Sequence, residues 1–312
     1  MRKGVSVFLL LALIASASRS ERAADRPAGA GYLSSIGSET MAPLLDLWVE
    51  DFRRSHPEID VSIQSAGSAT APPALADGVA NLAPMSRVMS EVETAAFVSR
   101  RGYKPTPVRV ALDAVMVIVH RQNPLRGLTL ALLDAVFSSS RKCGRSEDFS
   151  LWGQLGLAGE WRARPVQPFG RGPVSGTHDY FRQQALCGGV FKDSIVNVST
   201  SAALARAVGN SLNAIGYVGL GYRNPAVRPI PLAVAAGAPF IEPSAANALA
   251  GIYPLTRYLY IYMDKPPGRP LPFAVDALIR LALSERGQQD VARAGYIPLP
   301  VNVIPQELAR MH

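Results

Sequence analysis

The chain has 312 residues, 48% of them apolar and 18% charged, with a formal net charge of +8. That length accommodates two lobes with sizeable cores, and the apolar balance excludes a disordered chain. The arginines are scattered, with no dense Lys/Arg run interleaved with aromatics, so a nucleic-acid surface is not expected; moderate basicity draws anions without naming one.

The first residues, Met1-Arg2-Lys3-Gly4, precede an apolar run over 5–17 that ends Ala15-Ser16-Ala17. Two cations, a short apolar stretch and small residues make a secretory signal within 1–24, cleaved after Ala17 or Ala24. The run is too short to span a bilayer. No cysteine lies near either point, so no lipid anchor is expected. Loss of Arg2 and Lys3 lowers the net charge to +6. Export places Cys143 and Cys187 in an oxidising compartment, where an isolated pair is expected to form a disulfide. The four histidines, His56, His120, His178 and His312, lack paired ligand spacing, so no metal site is expected.

Residues 32–36 read as a strand leading into a helix through Met41, Leu44, Leu45, Trp48, Val49 and Phe52, which recur at helical spacing. Pro43 sits near its start, where a missing N–H matters little, and His56-Pro57 stops it. A second strand covers 59–66, and Pro72-Pro73 start a short helix ending near Gly78. Residues 82–85 are a third strand and 91–101 a polar-faced helix. The longest strand-like run, 108–120, exceeds what one small sheet needs. It and the run over 253–263 are expected to be two crossings between lobes. Between them come a helix at 130–137, the Trp152/Trp161 segment, a strand at 165–169, helices at 177–186 and 201–208, and a strand at 215–218. Helices at 273–283 and 285–294 are expected to pack back on the first lobe. This alternation predicts α/β lobes. The expected division is 25–112 and 256–312 for the first lobe and 113–255 for the second.

Three strand-to-helix junctions carry the chemistry: Gly37-Ser38-Glu39-Thr40-Met41, Gly67-Ser68-Ala69-Thr70 and Arg171-x-x-x-Ser175-Gly176-Thr177. A helix start exposes unpaired N–H groups, hydroxyls add donors, and the helix dipole favours an anion. Arg171 offers a planar fork that matches two oxygens of a tetrahedral oxyanion. Ser86 and Arg87 follow a short strand and are further candidates. Glu39 stands beside the first junction. A carboxylate there repels an oxyanion unless that ion carries a proton to share, which phosphate has and sulfate lacks. Ser175 lies close to His178, but the local pattern is not a Gly-x-Ser-x-Gly elbow. No phosphate loop and no dinucleotide fingerprint occurs in the sequence. Neither an enzyme nor a cofactor is therefore expected.

The chain resembles the periplasmic phosphate-binding proteins of phosphate-specific ABC importers over roughly 31–300. The resemblance rests on Gly37-Ser-Glu-Thr-Met, Gly67-Ser-Ala-Thr-Ala-Pro-Pro-Ala-Leu, Pro84-Met-Ser-Arg, Leu128-Thr with Val136-Phe-Ser, Arg171 with Ser175-Gly-Thr, Ala214-Ile-Gly-Tyr-Val-Gly-Leu-Gly-Tyr and Tyr253-Pro-Leu-Thr-Arg. It implies a two-lobed type II periplasmic-binding-protein fold whose lobes are joined by two hinge strands. It also implies a buried phosphate held by Thr40, Met41, Ser68, Arg171, Ser175, Gly176 and Thr177. It implies a monomer that delivers phosphate to a membrane permease; another tetrahedral oxyanion, or a sensor without a transporter, is the alternative. Many members of that family carry an aspartate, the acceptor of the phosphate proton, where Arg87 stands. Glu39 is expected to take that role while Arg87 adds charge. Pro173 replaces an acid that steadies the arginine in better-known relatives, leaving the support of Arg171 open.

Overall fold

The computed structural model describes residues 31–312; the expected signal segment lies outside them. The first strands, β1 (Tyr32–Ile36) and β2 (Asp60–Gln64), pair in parallel. Helix α1 (Ala42–Ser55) connects them and buries Leu44, Leu45, Trp48, Val49 and Phe52 on one face, with a proline in its first turn. Each such large side chain contributes roughly 1.5–3 kcal/mol by leaving water. Strand β2 ends before Ser65 because the chain then bends into the turn at Gly67, whose φ of 113° suits glycine. Helix α2 (Ala71–Ala76) and strand β3 (Ala83–Met85) follow. Helix α3 (Glu91–Arg101) starts with a capping box in which Ser90 and Glu93 satisfy each other's backbone N–H.

Strand β4 (Thr106–His120) is the spine of the molecule, and 110–119 are all buried. Its first half pairs with β11 (Thr256–Met263), which in turn pairs with β3. Its second half pairs with β8 (Ala214–Gly219) and β9 (Val227–Ile230). The register with β11 ends at Ala114, and that with β8 begins at Val115. One continuous strand thus belongs to two sheet halves. The return crossing is shorter than the 253–263 run. It is the segment entering β11, where Tyr253 Oη donates to the Val115 carbonyl and the Val115 N–H donates to Leu255 O.

The second lobe holds β6 (Gln167–Arg171) between β7 (Val196–Val198) and β8, all parallel. Helix α4 (Leu130–Phe137) packs on α5 (Gly176–Ala185), and α6 (Ser201–Gly209) covers β4, β6 and β8. A short parallel pair, β5 (Leu128–Thr129) with β10 (Leu232–Ala233), and helix α7 (Ala245–Leu249) complete this lobe. The closing helices, α8 (Phe273–Leu283) and α9 (Glu285–Arg293), lie against α1, where Trp48 Nε1 donates to Gly287 O at 2.9 Å. The last helix is α10 (Ile304–Ala309). Strand β6 runs two residues past the expected 169, through Gly170, where the apolar alternation stops. Consequently Arg171 is the final strand residue.

Cys143 and Cys187 form a disulfide, joining the loop after α4 to the end of α5. Their separation of 44 residues implies roughly 4 kcal/mol from loop-closure entropy. Replacing both by alanine should lower unfolding stability by about that amount in denaturant titration; unchanged stability would contradict this role.

Candidate functional site

The carboxyl ends of β1 and β6 point toward one another across the seam between lobes, the position where open α/β sheets bind ligands. Beyond β1, Glu39–Met41 form a 3-10 turn; beyond β2, Ser68–Thr70 form another. Beyond β6, Ser175 caps α5 by accepting the His178 N–H at 3.4 Å. The first N–H groups of that helix, from Gly176 onward, have no partner within the helix.

These pieces touch. Thr40 Oγ1 of the first lobe lies 2.8 Å from Thr177 Oγ1 of the second, and both residues are buried. Ser68 Oγ accepts the Ser86 N–H at 3.1 Å and lies 3.3 Å from Ser86 Oγ. Both hydroxyls press against Gly176 so closely that a Cβ there would collide with them. The Ala69 N–H donates to Val174 O at 3.1 Å, another bond between lobes. Thr40, Ser68, Ser86, Ser175, Gly176 and Thr177 therefore meet at one place. Met41 sits beside them differently: its side chain is in the core and its N–H donates to Ser38 O at 3.2 Å.

Two expectations about charge change. Glu39 does not offer an open acceptor. Its Oε2 accepts from Arg171 Nη1 at 2.6 Å and from Ser201 Oγ at 2.8 Å, while Oε1 accepts the Ser201 N–H at 2.9 Å. Tyr222 Oη donates to the Glu39 carbonyl at 2.9 Å and approaches Oε1 at 3.4 Å. Arg171 and the N–H and hydroxyl of Ser201, all from the opposite lobe, thus take three of the about four acceptor positions of this carboxylate. Nor does Arg87 join the cluster. Its guanidinium forks onto Glu93 with two bonds of 2.7 Å, and its Nε lies 3.2 Å from Asp179 on α5. Because Glu93 is at N3 of α3, the sequence-local acid captures the arginine, and Asp179 makes it a strut between lobes.

The open question about Arg171 is answered by the same geometry. The acid that steadies it is Glu39, from the opposite lobe. Arg171 Nη1 also donates to Ser201 Oγ at 2.6 Å, and Nη2 to Ser199 O at 2.8 Å. Its Nε is buried with no hydrogen-bond partner among the described residues.

Other contributors were not singled out from the sequence. Arg257, at the start of β11, donates from Nε and Nη2 to Asp113 Oδ2 at 3.0 and 2.8 Å, and from Nη2 to Thr177 Oγ1 at 3.0 Å. Asp113 Oδ1 accepts the Leu220 N–H at 2.8 Å. Tyr296 Oη donates to the Thr40 carbonyl. Ser38 Oγ is buried without a partner among the described residues. Asp113 had a signal: it is the one charge within 110–119. Arg257 closes the Tyr253-Pro-Leu-Thr-Arg motif. Tyr222 likewise closes the Ala214-Ile-Gly-Tyr-Val-Gly-Leu-Gly-Tyr motif, whereas Ser201 had no signal, because its role depends on a carboxylate far away in sequence.

His178 lies in the first turn of α5, with Nδ1 at 2.6 Å from the Arg171 carbonyl and its ring against Phe191. A carbonyl accepts only, so Nδ1 carries the proton and donates it. Burial holds this imidazole below the ordinary histidine pKa of 6.5, outweighing the Arg171 carbonyl and nearby Asp179. The folded state therefore binds fewer protons than the unfolded state, and stability rises with pH through this range. Stability should fall as pH drops from about 6.5 toward the lowered folded pKa. In His178→Gln that slope should shrink in urea titrations at stepped pH; an unchanged slope would contradict it.

Among the described residues no helix is long and apolar enough to cross a membrane, and no His/Cys/Asp/Glu group is able to hold a metal. Residues 22–286 match the family model of the PBP superfamily domain. The chain is 48% identical over 281 residues to the phosphate-binding protein PstS of Pseudomonas aeruginosa, covering 90% of this chain and 87% of that one. It is 24% identical over 295 residues to protein SphX of Synechococcus elongatus, covering 94% and 85%. Among solved structures, it is similar to an ABC-type phosphate transport receptor of Vibrio cholerae, with a TM-score of 0.66, 22% identity, and 86% of this chain and 100% of that one covered. It is also similar to a Clostridium perfringens protein assigned as a phosphate ABC transporter substrate-binding protein and solved with bound phosphate. There the TM-score is 0.73 and the identity 23%, covering 86% and 100%. The fold of these neighbours is the type II periplasmic-binding fold, and the chain belongs to the PBP superfamily.

Proposed function

We propose that the protein captures inorganic phosphate outside the cytoplasm and hands it to the permease of an ABC transporter, without chemistry on the ligand. The observation that carries this reading is the meeting of hydroxyls and helix-terminal amides from both lobes at Thr40, Ser68, Ser86, Ser175, Gly176 and Thr177. Such donors hold a dehydrated oxyanion without requiring full counterions. The names of the relatives support phosphate as the ion. Export through a cleaved signal within 1–24 and action as a monomer belong to the same reading.

In this reading Thr40, Ser68, Ser86, Ser175, Gly176 and Thr177 contact the ion, together with Arg171 through its unpartnered Nε. Glu39 acts differently. It orients Arg171 and, because it also binds the start of α6, ties the lobes in the closed form. Arg87 does the same at the edge through Asp179.

Titration calorimetry with phosphate and with sulfate tests this. The protein should bind phosphate; heats seen with sulfate alone would make it a receptor for another oxyanion. Glu39→Gln separates the two roles of the carboxylate. Loss of one charge-assisted tie should weaken phosphate and sulfate alike, by roughly tenfold, and leave their ratio unchanged. A collapse of the ratio with phosphate affinity intact would restore Glu39 as the acceptor of a phosphate proton.

A further inference from the structure

Arg257 comes from neither of the loops that follow β1 and β6. It stands at the start of β11, where the chain re-enters the first lobe, and is only 5% exposed. Three facts distinguish it from a structural ion pair. Its Nη2 donates at 3.0 Å to Thr177 Oγ1, itself 2.8 Å from Thr40 Oγ1, so the guanidinium adjoins the hydroxyl cluster. Its Nε and Nη2 are held by Asp113, whose other oxygen is occupied by the Leu220 N–H. Finally, Nη1 is buried with no hydrogen-bond partner among the described residues. Buried guanidinium donors left unpaired are rare and unfavourable, and a planar fork clamped on one edge presents its other edge at a fixed angle. Tyr180 supports that plane, with its ring centroid 5.2 Å from the Arg257 Cζ.

We propose that Arg257 is a second oxyanion-binding guanidinium of the site, donating from Nη1 to the bound phosphate while Asp113 fixes its orientation. It supplies the charge that Arg87 does not bring. Each of the two cluster arginines then has one carboxylate partner, the partly exposed Glu39 for Arg171 and the buried Asp113 for Arg257. The pair leaves the free site close to neutral while keeping donors directed at the ion. In addition, Thr177 Oγ1 accepts a hydrogen bond from Arg257 Nη2, which leaves its own O–H to donate to Thr40 or to the ligand.

This inference rests on the phosphate reading, and calorimetry separates their failures. No binding by the unaltered protein would sink that reading itself. With binding established, Arg257→Gln should weaken phosphate by about 10- to 100-fold, the range for one charge-assisted hydrogen bond. The loss should be greater where phosphate is a dianion than where it is a monoanion, because the missing partner is a charge. Tyr180, pushed up to about 12 by burial, and Tyr296, held well above 10 by burial, do not titrate in that interval. A support role alone would lower affinity by the same factor at every pH. Unaltered affinity, or a pH-independent loss, overturns the proposal. Should the glutamine variant fail to fold, Arg257→Lys keeps the charge but lacks the fork. It should bind roughly tenfold more weakly, and affinity equal to the unaltered protein overturns the proposal.

Discussion

Glu39 belongs to the first lobe, yet almost every donor around its side chain comes from the second. Arg171 ends β6, Ser201 begins α6, and Tyr222 follows β8. A carboxylate removed from water needs this many partners, since each lone pair left bare inside protein is unfavourable. The requirement can be met only when the two lobes are together. The orientation of Arg171 therefore depends on the lobes being together, and in the same arrangement the hydroxyls of Thr40 and Thr177 lie 2.8 Å apart. The rest of the site follows from this contact. Gly176 must lack a side chain because Ser68 and Ser86 close over it.

Charge in the site is organised in pairs, Arg257 with Asp113 fully buried and Arg171 with Glu39 nearly so. Removing one member of such a pair typically costs about 3–5 kcal/mol, because the other is left uncompensated. Each arginine is therefore fixed in place rather than free to follow solvent. A micromolar dissociation constant requires only about 8 kcal/mol, which a few charge-assisted bonds of roughly 1.5–3 kcal/mol exceed. The excess is absorbed by stripping water from the ion and ordering the lobes. Neutral donors from hydroxyls and helix-start amides suit this balance, because they need no counterions of their own.

Much of this was legible in the chain. The alternation of strands and helices predicted α/β lobes, and helical spacing located the buried face of α1 residue by residue. The length of the 108–120 run marked the strand shared by two sheet halves. The three Ser/Thr-bearing junctions were identifiable because helix starts carry local signals. Charge partners were not. Arg87 has the neighbour Glu93 six residues away, and that local acid captured it. Glu39 meets Arg171 across 132 residues and Ser201 across 162, distances over which sequence spacing carries no information. Asp113 was conspicuous as a charge within a buried strand, but only the fold reveals that its partner is Arg257. The chain belongs to the PBP superfamily; the pairing of its charges is visible only in the fold.

The central claim is that donors from both lobes converge on one dehydrated tetrahedral ion while Glu39 stays bound to Arg171. A crystal structure of the protein grown with phosphate measures this directly. A single anion within hydrogen-bond distance of Thr40, Ser68 and the Gly176–Thr177 amides, with the Glu39–Arg171 bond intact, is the result expected. An anion bound to one lobe alone, or Thr40 and Thr177 facing separate solvent with no ligand in common, would contradict it.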